Sequence, residues 1–213
     1  MEHALSHVAV APPAQAAGAI GVTGLNNRKV LMWAFLGSDC MLFGSLIVAF
    51  LVYRGRWTGS GPFPTADLAH HGVFDILYTS VSAFALLMSS LAMVLALAAV
   101  QRGDIRRLKI WLLATAALGL IFVGGQVFEF TEFAREGFLL STNTGGTTFF
   151  VLTGFHGTHV SLGIVWLLSL WALASRGVIT QARSLDVEIA GLYWHFVDIV
   201  CIIIFTAVYL IPV

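Results

Sequence analysis

The chain has 213 residues, 58% of them hydrophobic and 10% charged, with a mean hydropathy of +0.89. Soluble domains carry about 25% charged residues, so a water-facing globular surface is excluded and an integral membrane protein is implied. Eleven basic and eleven acidic side chains cancel, which leaves no electrostatic footprint for nucleic acid.

Residues 1–28 are rich in Ala and contain Pro12 and Pro13. They lack a basic start followed by an unbroken apolar core, so they read as a flexible cytoplasmic tail, not a cleaved signal peptide. Residues 29–213 hold five apolar runs, 30–53, 74–100, 110–130, 147–173 and 192–211. Each is near the ~20 residues that cross a bilayer as a helix, and no strand alternation competes. The expected fold class is all-α, a polytopic membrane protein with five transmembrane helices in a bundle. Connection 54–73 has the loop chemistry of Gly59, Gly61, Pro62 and Pro64. Connection 101–109 is short and basic, 131–146 ends in Gly145-Gly146, and 174–191 has mixed charge.

Basic residues set orientation. Arg28, Lys29, Arg102, Arg106, Arg107, Lys109, Arg176 and Arg183 fall on one side, against Arg54, Arg56 and Arg135 on the other. The amino terminus is therefore expected in the cytoplasm and the carboxy terminus outside. No internal repeat argues for an inverted-repeat transporter. Cys40 and Cys201 both lie in apolar runs, so neither a disulfide framework nor a zinc motif is available. Trp33, Trp57, Trp111, Trp171 and Trp194 sit near span ends and read as an aromatic belt.

Polar residues within the spans are the candidate functional groups, because they are costly there unless partnered. Asp39 lies about 14 Å in from the cytoplasmic end of the first span. A bare carboxylate at that depth carries a large desolvation cost, which favours its protonated form. Proton handling and neutral packing are both open to it. Gln126 and Glu129 are three apart near the outer end of the third span. Glu129 either reaches the outer interface or turns inward, where Gly119, Gly124 and Gly125 permit close helix approach.

His156 and His159 stand within Gly154-Phe155-His156-Gly157-Thr158-His159-Val160-Ser161-Leu162-Gly163 and share one helix face. The three glycines let a neighbouring helix or a lipid come close. A ligand role and a hydrogen-bonded packing role are both compatible with that pattern. In the fifth span His195 and Asp198 also share a face. They make either an intrahelical pair, a bridge to another helix, or a proton path at the depth of Asp39.

A metal site built from the paired histidines and Glu129 is conceivable in a bundle. The acids and histidines are split between depths, however, and no Glu-x-x-His repeats. A transporter would want broken helices at the midplane, and the spans lack internal proline.

Taken in order, four segments resemble subunit III of the haem–copper terminal oxidases. They are Phe35-Leu36-Gly37-Ser38-Asp39-Cys40-Met41-Leu42-Phe43, the Gln126, Glu129 and Phe130 group, Gly154 to Val160, and Trp194-His195-Phe196-Val197-Asp198-Ile199-Val200 with Phe205 and Tyr209. The resemblance covers about residues 30 to 213. It implies an accessory subunit that carries no haem or copper of its own and packs on catalytic subunit I beside the other oxidase subunits. It also implies lipid held between helix groups and support for proton uptake, in the membrane of a bacterial cell. Many members have seven helices, and this chain resembles the five-helix type that lacks the first two. Many also have Glu where Asp39 stands, which leaves the carbodiimide reactivity known in the family open here. The resemblance spans cytochrome c oxidases, quinol oxidases and the accessory subunit of some nitric oxide reductases. Cytochrome c is the donor expected from family size.

Overall fold

The computed structural model of the chain describes residues 26–54, 76–135 and 144–210. They form five long helices, α1 (Asn27–Arg54), α2 (Ile76–Gln101), α3 (Ile105–Arg135), α4 (Thr144–Ser175) and α5 (Ser184–Phe205). A 3-10 turn, Gln181–Arg183, precedes α5, and a π turn, Thr206–Leu210, follows it. All five helices are long and apolar enough to cross a membrane. No strand occurs among the described residues. Residues 1–25 of the expected tail 1–28, the loop residues Gly59 to Pro64 and Trp57 lie outside the described residues, while Asn27 and Arg28 are not tail but the first residues of α1.

Two connections are shorter than the hydropathy pattern suggests. The basic segment 101–109 is mostly the first turn of α3, and only residues 102–104 form the link. Gly103 has φ +77°, a left-handed conformation that favours glycine. Asp104 N–H bonds to Ala99 O at 3.0 Å and Gly103 N–H to Val100 O at 3.0 Å, which closes the end of α2. Asp104 then caps α3 by accepting from the Arg107 N–H at 3.0 Å. Gly177, with φ +75°, closes α4 in the same way, with Val178 N–H on Leu173 O.

The other shift is at α5, which starts at Ser184 instead of 192. Its charged first turns are stabilised across the bundle. Arg28 meets Asp186 at 2.7 Å and Lys29 meets Glu188 at 2.6 Å. Both pairs are partly exposed, so each is worth at most about 1 kcal/mol. Their main effect is to fix where α1 starts relative to α5.

Helices α2, α3, α4 and α5 form a ring in which each packs on its neighbours, while α1 packs chiefly on α4 and α5 from outside. Helix α1 is held by a narrow seam. Met32, Leu36, Asp39, Phe43 and Phe50 are buried at alternating three- and four-residue steps once half-buried Leu46 is included. That is the spacing of a helix–helix seam. It fixes Asp39 toward the bundle and not toward lipid.

Lipid tails are as apolar as Leu, so burial alone does not hold these helices together; close packing and hydrogen bonds do. The clearest case is Trp194 of α5, 1% exposed and enclosed by the other three ring helices. Its Nε1–H donates to Ser89 Oγ of α2 at 2.8 Å. Its ring lies where side chains at Gly119 of α3 and Gly163 of α4 would stand: a Cβ at Gly163 would come within 2.9 Å of Cζ3. Trp194 is therefore a core residue, which corrects its assignment to the aromatic belt. Trp33 and Trp171, 60% and 37% exposed, fit the belt.

A second core at the opposite end is built from Phe43, Phe50, Phe133 and Phe149, with Leu152, Val200 and Ile204. Phe149 packs edge-on against Phe133 and Phe150 at 5.8 and 5.5 Å between ring centres.

With five spans, α1 begins at the basic end and α5 finishes at the other. A reporter fused at Val213 is expected to signal outside the cytoplasm, and one within 102–104 inside it. A cytoplasmic signal at Val213 would require the opposite orientation.

Candidate functional site

The seven intramembrane polar residues resolve into three clusters, with partners that hydropathy does not reveal. The first joins α1 to α4. Asp39, 7% exposed, faces His159, and its Oδ2 lies 3.6 Å from His159 Nε2. That is charge-pairing distance but longer than a direct hydrogen bond. The other ring nitrogen, Nδ1, is 2.8 Å from Phe155 O, one turn back on α4. A carbonyl only accepts, so Nδ1 carries the proton. Nε2 is then a bare acceptor in the neutral ring and gains a proton only when the ring becomes a cation. Asp39 and His159 together therefore form a site that can hold one further proton on either partner. Tyr193 Oη–H of α5 donates to His159 O at 2.9 Å, and the Phe43 ring packs edge-on to the imidazole at 5.1 Å. The partner beside Asp39 comes from another helix, α4, and not from its own.

The second cluster lies between α3, α4 and α2. His156 and His159 both flank Phe43, as their spacing predicts. His156 continues inward to the edge of Phe122 of α3 at 5.6 Å and is 3% exposed. Neither of its ring nitrogens has a hydrogen-bond partner among the described residues. Leaving one buried polar group unsatisfied costs about 1–3 kcal/mol. Glu129 accepts from Thr79 Oγ1 of α2 and lines the same cleft as His156. Gln126 Nε2 donates to Thr153 O of α4 at 2.6 Å.

Gln126 reaches that carbonyl because Gly157 has no side chain. A Cβ there would clash with Oε1 of Gln126 and stand 3.0 Å from its Cδ. The three glycines do not line one contact, however. Gly157 meets α3, Gly163 meets Trp194 and Tyr193 of α5, and Gly154 has nothing within 4 Å. Gly157→Leu is expected to expel the Gln126 amide and cost about 1–3 kcal/mol, the usual penalty for overpacking. Weaker retention of this chain during detergent purification would show it. Normal co-purification with unchanged thermal stability would mean that the contact is dispensable.

The third cluster joins α5 to α2. Ser90 Oγ of α2 lies 2.6 Å from His195 Nδ1. A hydroxyl from the neighbouring helix thus holds His195, while Asp198, 5% exposed, is buried one turn further along α5.

Ser89, Ser90, Thr79, Tyr193 and Trp194 were not singled out as partners from sequence. The available signal was the run of hydroxyls Thr79, Ser80, Ser82, Ser89 and Ser90 along a mostly apolar span, a place where hydroxyls commonly bond across helices. Among the described residues no three His, Cys, Asp or Glu side chains converge as a metal-binding set.

The family model described as cytochrome c oxidase subunit III matches residues 19–212. The chain is 38% identical over 178 residues to quinol oxidase subunit 3 of Bacillus subtilis, covering 84% of each protein. It is 36% identical over 188 residues to cytochrome c oxidase subunit 3 of Alkalihalophilus pseudofirmus, covering 88% of each. A third relative, cytochrome c oxidase subunit 3 of Bacillus sp. (strain PS3), is 32% identical over 184 residues, 86% of each.

Proposed function

The chain belongs to the cytochrome c oxidase subunit III family, and on that premise we propose that it supports proton uptake by its oxidase complex through the Asp39–His159 pair. It is an accessory subunit of a haem–copper oxidase of the respiratory chain, set in the membrane by five helices. The finer proposal extends to its surroundings. The chain packs on the catalytic subunit I, holds phospholipid against its exposed faces, and leaves haem and copper to its partners. The observation that carries the proton role is the 3.6 Å approach of an acid on a peripheral helix to a histidine whose second nitrogen is already committed. A proton moving between the two partners leaves the net charge of the pair unchanged.

Relatives bearing both donor names match at similar identity, which fits a donor site lying outside this chain. Cytochrome c is retained as the proposed donor; quinol is the second reading, supported by the 38% identical relative. Purification through a tag on this chain tests the assignment. A haem-containing larger subunit should co-purify, and the complex should oxidise reduced cytochrome c with uptake of protons. Oxidation of quinol but not of cytochrome c would replace the donor. Stoichiometric haem or copper on this chain after its release by detergent would overturn the accessory role.

A further inference from the structure

We propose that the cleft between α2, α3, α4 and α5 is a binding site for ordered water, anchored on the ring nitrogens of His156. The cleft, open on one side, offers a cavity of about 50 Å³ at the end where α2 and α4 begin, room for a few waters. Its polar lining comes from Thr79, Ser82, Gln126, Glu129, Thr153 and His156, set among phenylalanine rings. His156 is the group that points to a ligand. It is 97% buried, it lines the cleft, and both its nitrogens lack a partner among the described residues.

The chemistry of the ring narrows the ligand. A neutral imidazole offers one N–H and one lone pair, so full satisfaction needs an acceptor on one side and a donor on the other. An acyl chain supplies neither, and a phosphodiester supplies acceptors alone. Water supplies both from one small molecule. A buried water also needs two to four polar partners of its own. The hydroxyls, the amide and the carboxylate around the same cleft provide them. None of them meets the His156 ring itself: Gln126 Nε2 bonds to Thr153 O, and Glu129 accepts from Thr79. The Asp39–His159 pair is a different pair of groups, so this inference and the proton-uptake proposal stand or fall separately.

Radiolytic hydroxyl-radical labelling of the intact oxidase complex tests it, because radicals formed from bound water modify the side chains beside that water. Phe149 lines the cleft and is 2% exposed, whereas Phe50 is 1% exposed and does not line it. Phe149 and Phe122 are expected to be modified several-fold faster than Phe50 and Phe133. In a complex carrying His156→Leu the advantage of Phe149 and Phe122 should shrink. Equal, slow labelling of all four in the unmodified complex would overturn the proposal, and so would an acyl chain in the cleft in a high-resolution density map. If the variant fails to assemble, the comparison within the unmodified complex still decides.

Discussion

Trp194→Ala is expected to cost about 3–5 kcal/mol, the range for emptying a large aromatic site in a packed core. In most membrane helices the loss would be smaller, because lipid solvates an exposed apolar face as well as protein does. Trp194 does not face lipid. It stands between glycines on α3 and α4 and donates to a serine on α2, so its removal breaks contacts with three helices together. The hydrogen bond is the smaller share. Pairs of this kind in membranes average about 0.6 kcal/mol, and Trp194→Phe should therefore lose much less than Trp194→Ala. The measurement is the thermal midpoint for release of this chain from the purified complex, with content checked by protein stain. A midpoint for Trp194→Ala within error of the unmodified protein would show that α2–α5 do not depend on this residue. Gly163→Leu should reproduce most of the defect from the opposite side, since its side chain and the indole claim one volume.

That contrast shows which parts of the fold are legible in sequence. Span number and helical character follow from apolar run length, since a bilayer leaves few alternatives for satisfying a backbone. Helix starts are less legible where charge is stabilised by a distant partner. Asp186 and Glu188 look like loop residues until Arg28 and Lys29 are placed beside them. Pairing between helices is harder still. Spacing puts His156 and His159 on one face, but nothing in the spacing says that Asp39 meets only the second of them. Depth pointed the other way, grouping Asp39 with Asp198. The seam on α1 resolves the point, because steps from Met32 to Phe50 dictate which way Asp39 turns. For Trp194 the misleading signal was position: near a span end by hydropathy, yet more than two turns inside α5 once that helix starts at Ser184.

Asp39→Asn is expected to leave assembly nearly intact while slowing turnover at alkaline pH. The amide keeps the size of the carboxyl and can direct an N–H toward His159 Nε2, which is a bare acceptor when the ring is neutral. Packing along the α1 seam, with Leu36 and Phe43 on either side, should be undisturbed. What the amide cannot do is release or accept a proton in this range, so transfer between residue 39 and His159 stops. Proton supply limits an oxidase most where protons are scarce, and the deficit should therefore widen as pH rises from neutral. Asp39→Leu separates the two roles, because it removes the polar partner as well as the proton. That variant removes the carboxyl from beside His159 Nε2 and should lower stability only modestly, because the 3.6 Å contact it removes is longer than a direct hydrogen bond. His159→Gln keeps a polar group opposite Asp39 but no titrating ring, and should show the alkaline deficit of Asp39→Asn. Combining it with Asp39→Asn should add little, since both changes interrupt one transfer. Oxygen consumption against pH, normalised to subunit content, reads the four variants and the unmodified complex. If Asp39→Asn and the unmodified complex superimpose from neutral to alkaline pH, Asp39 and His159 join α1 to α4 by packing alone.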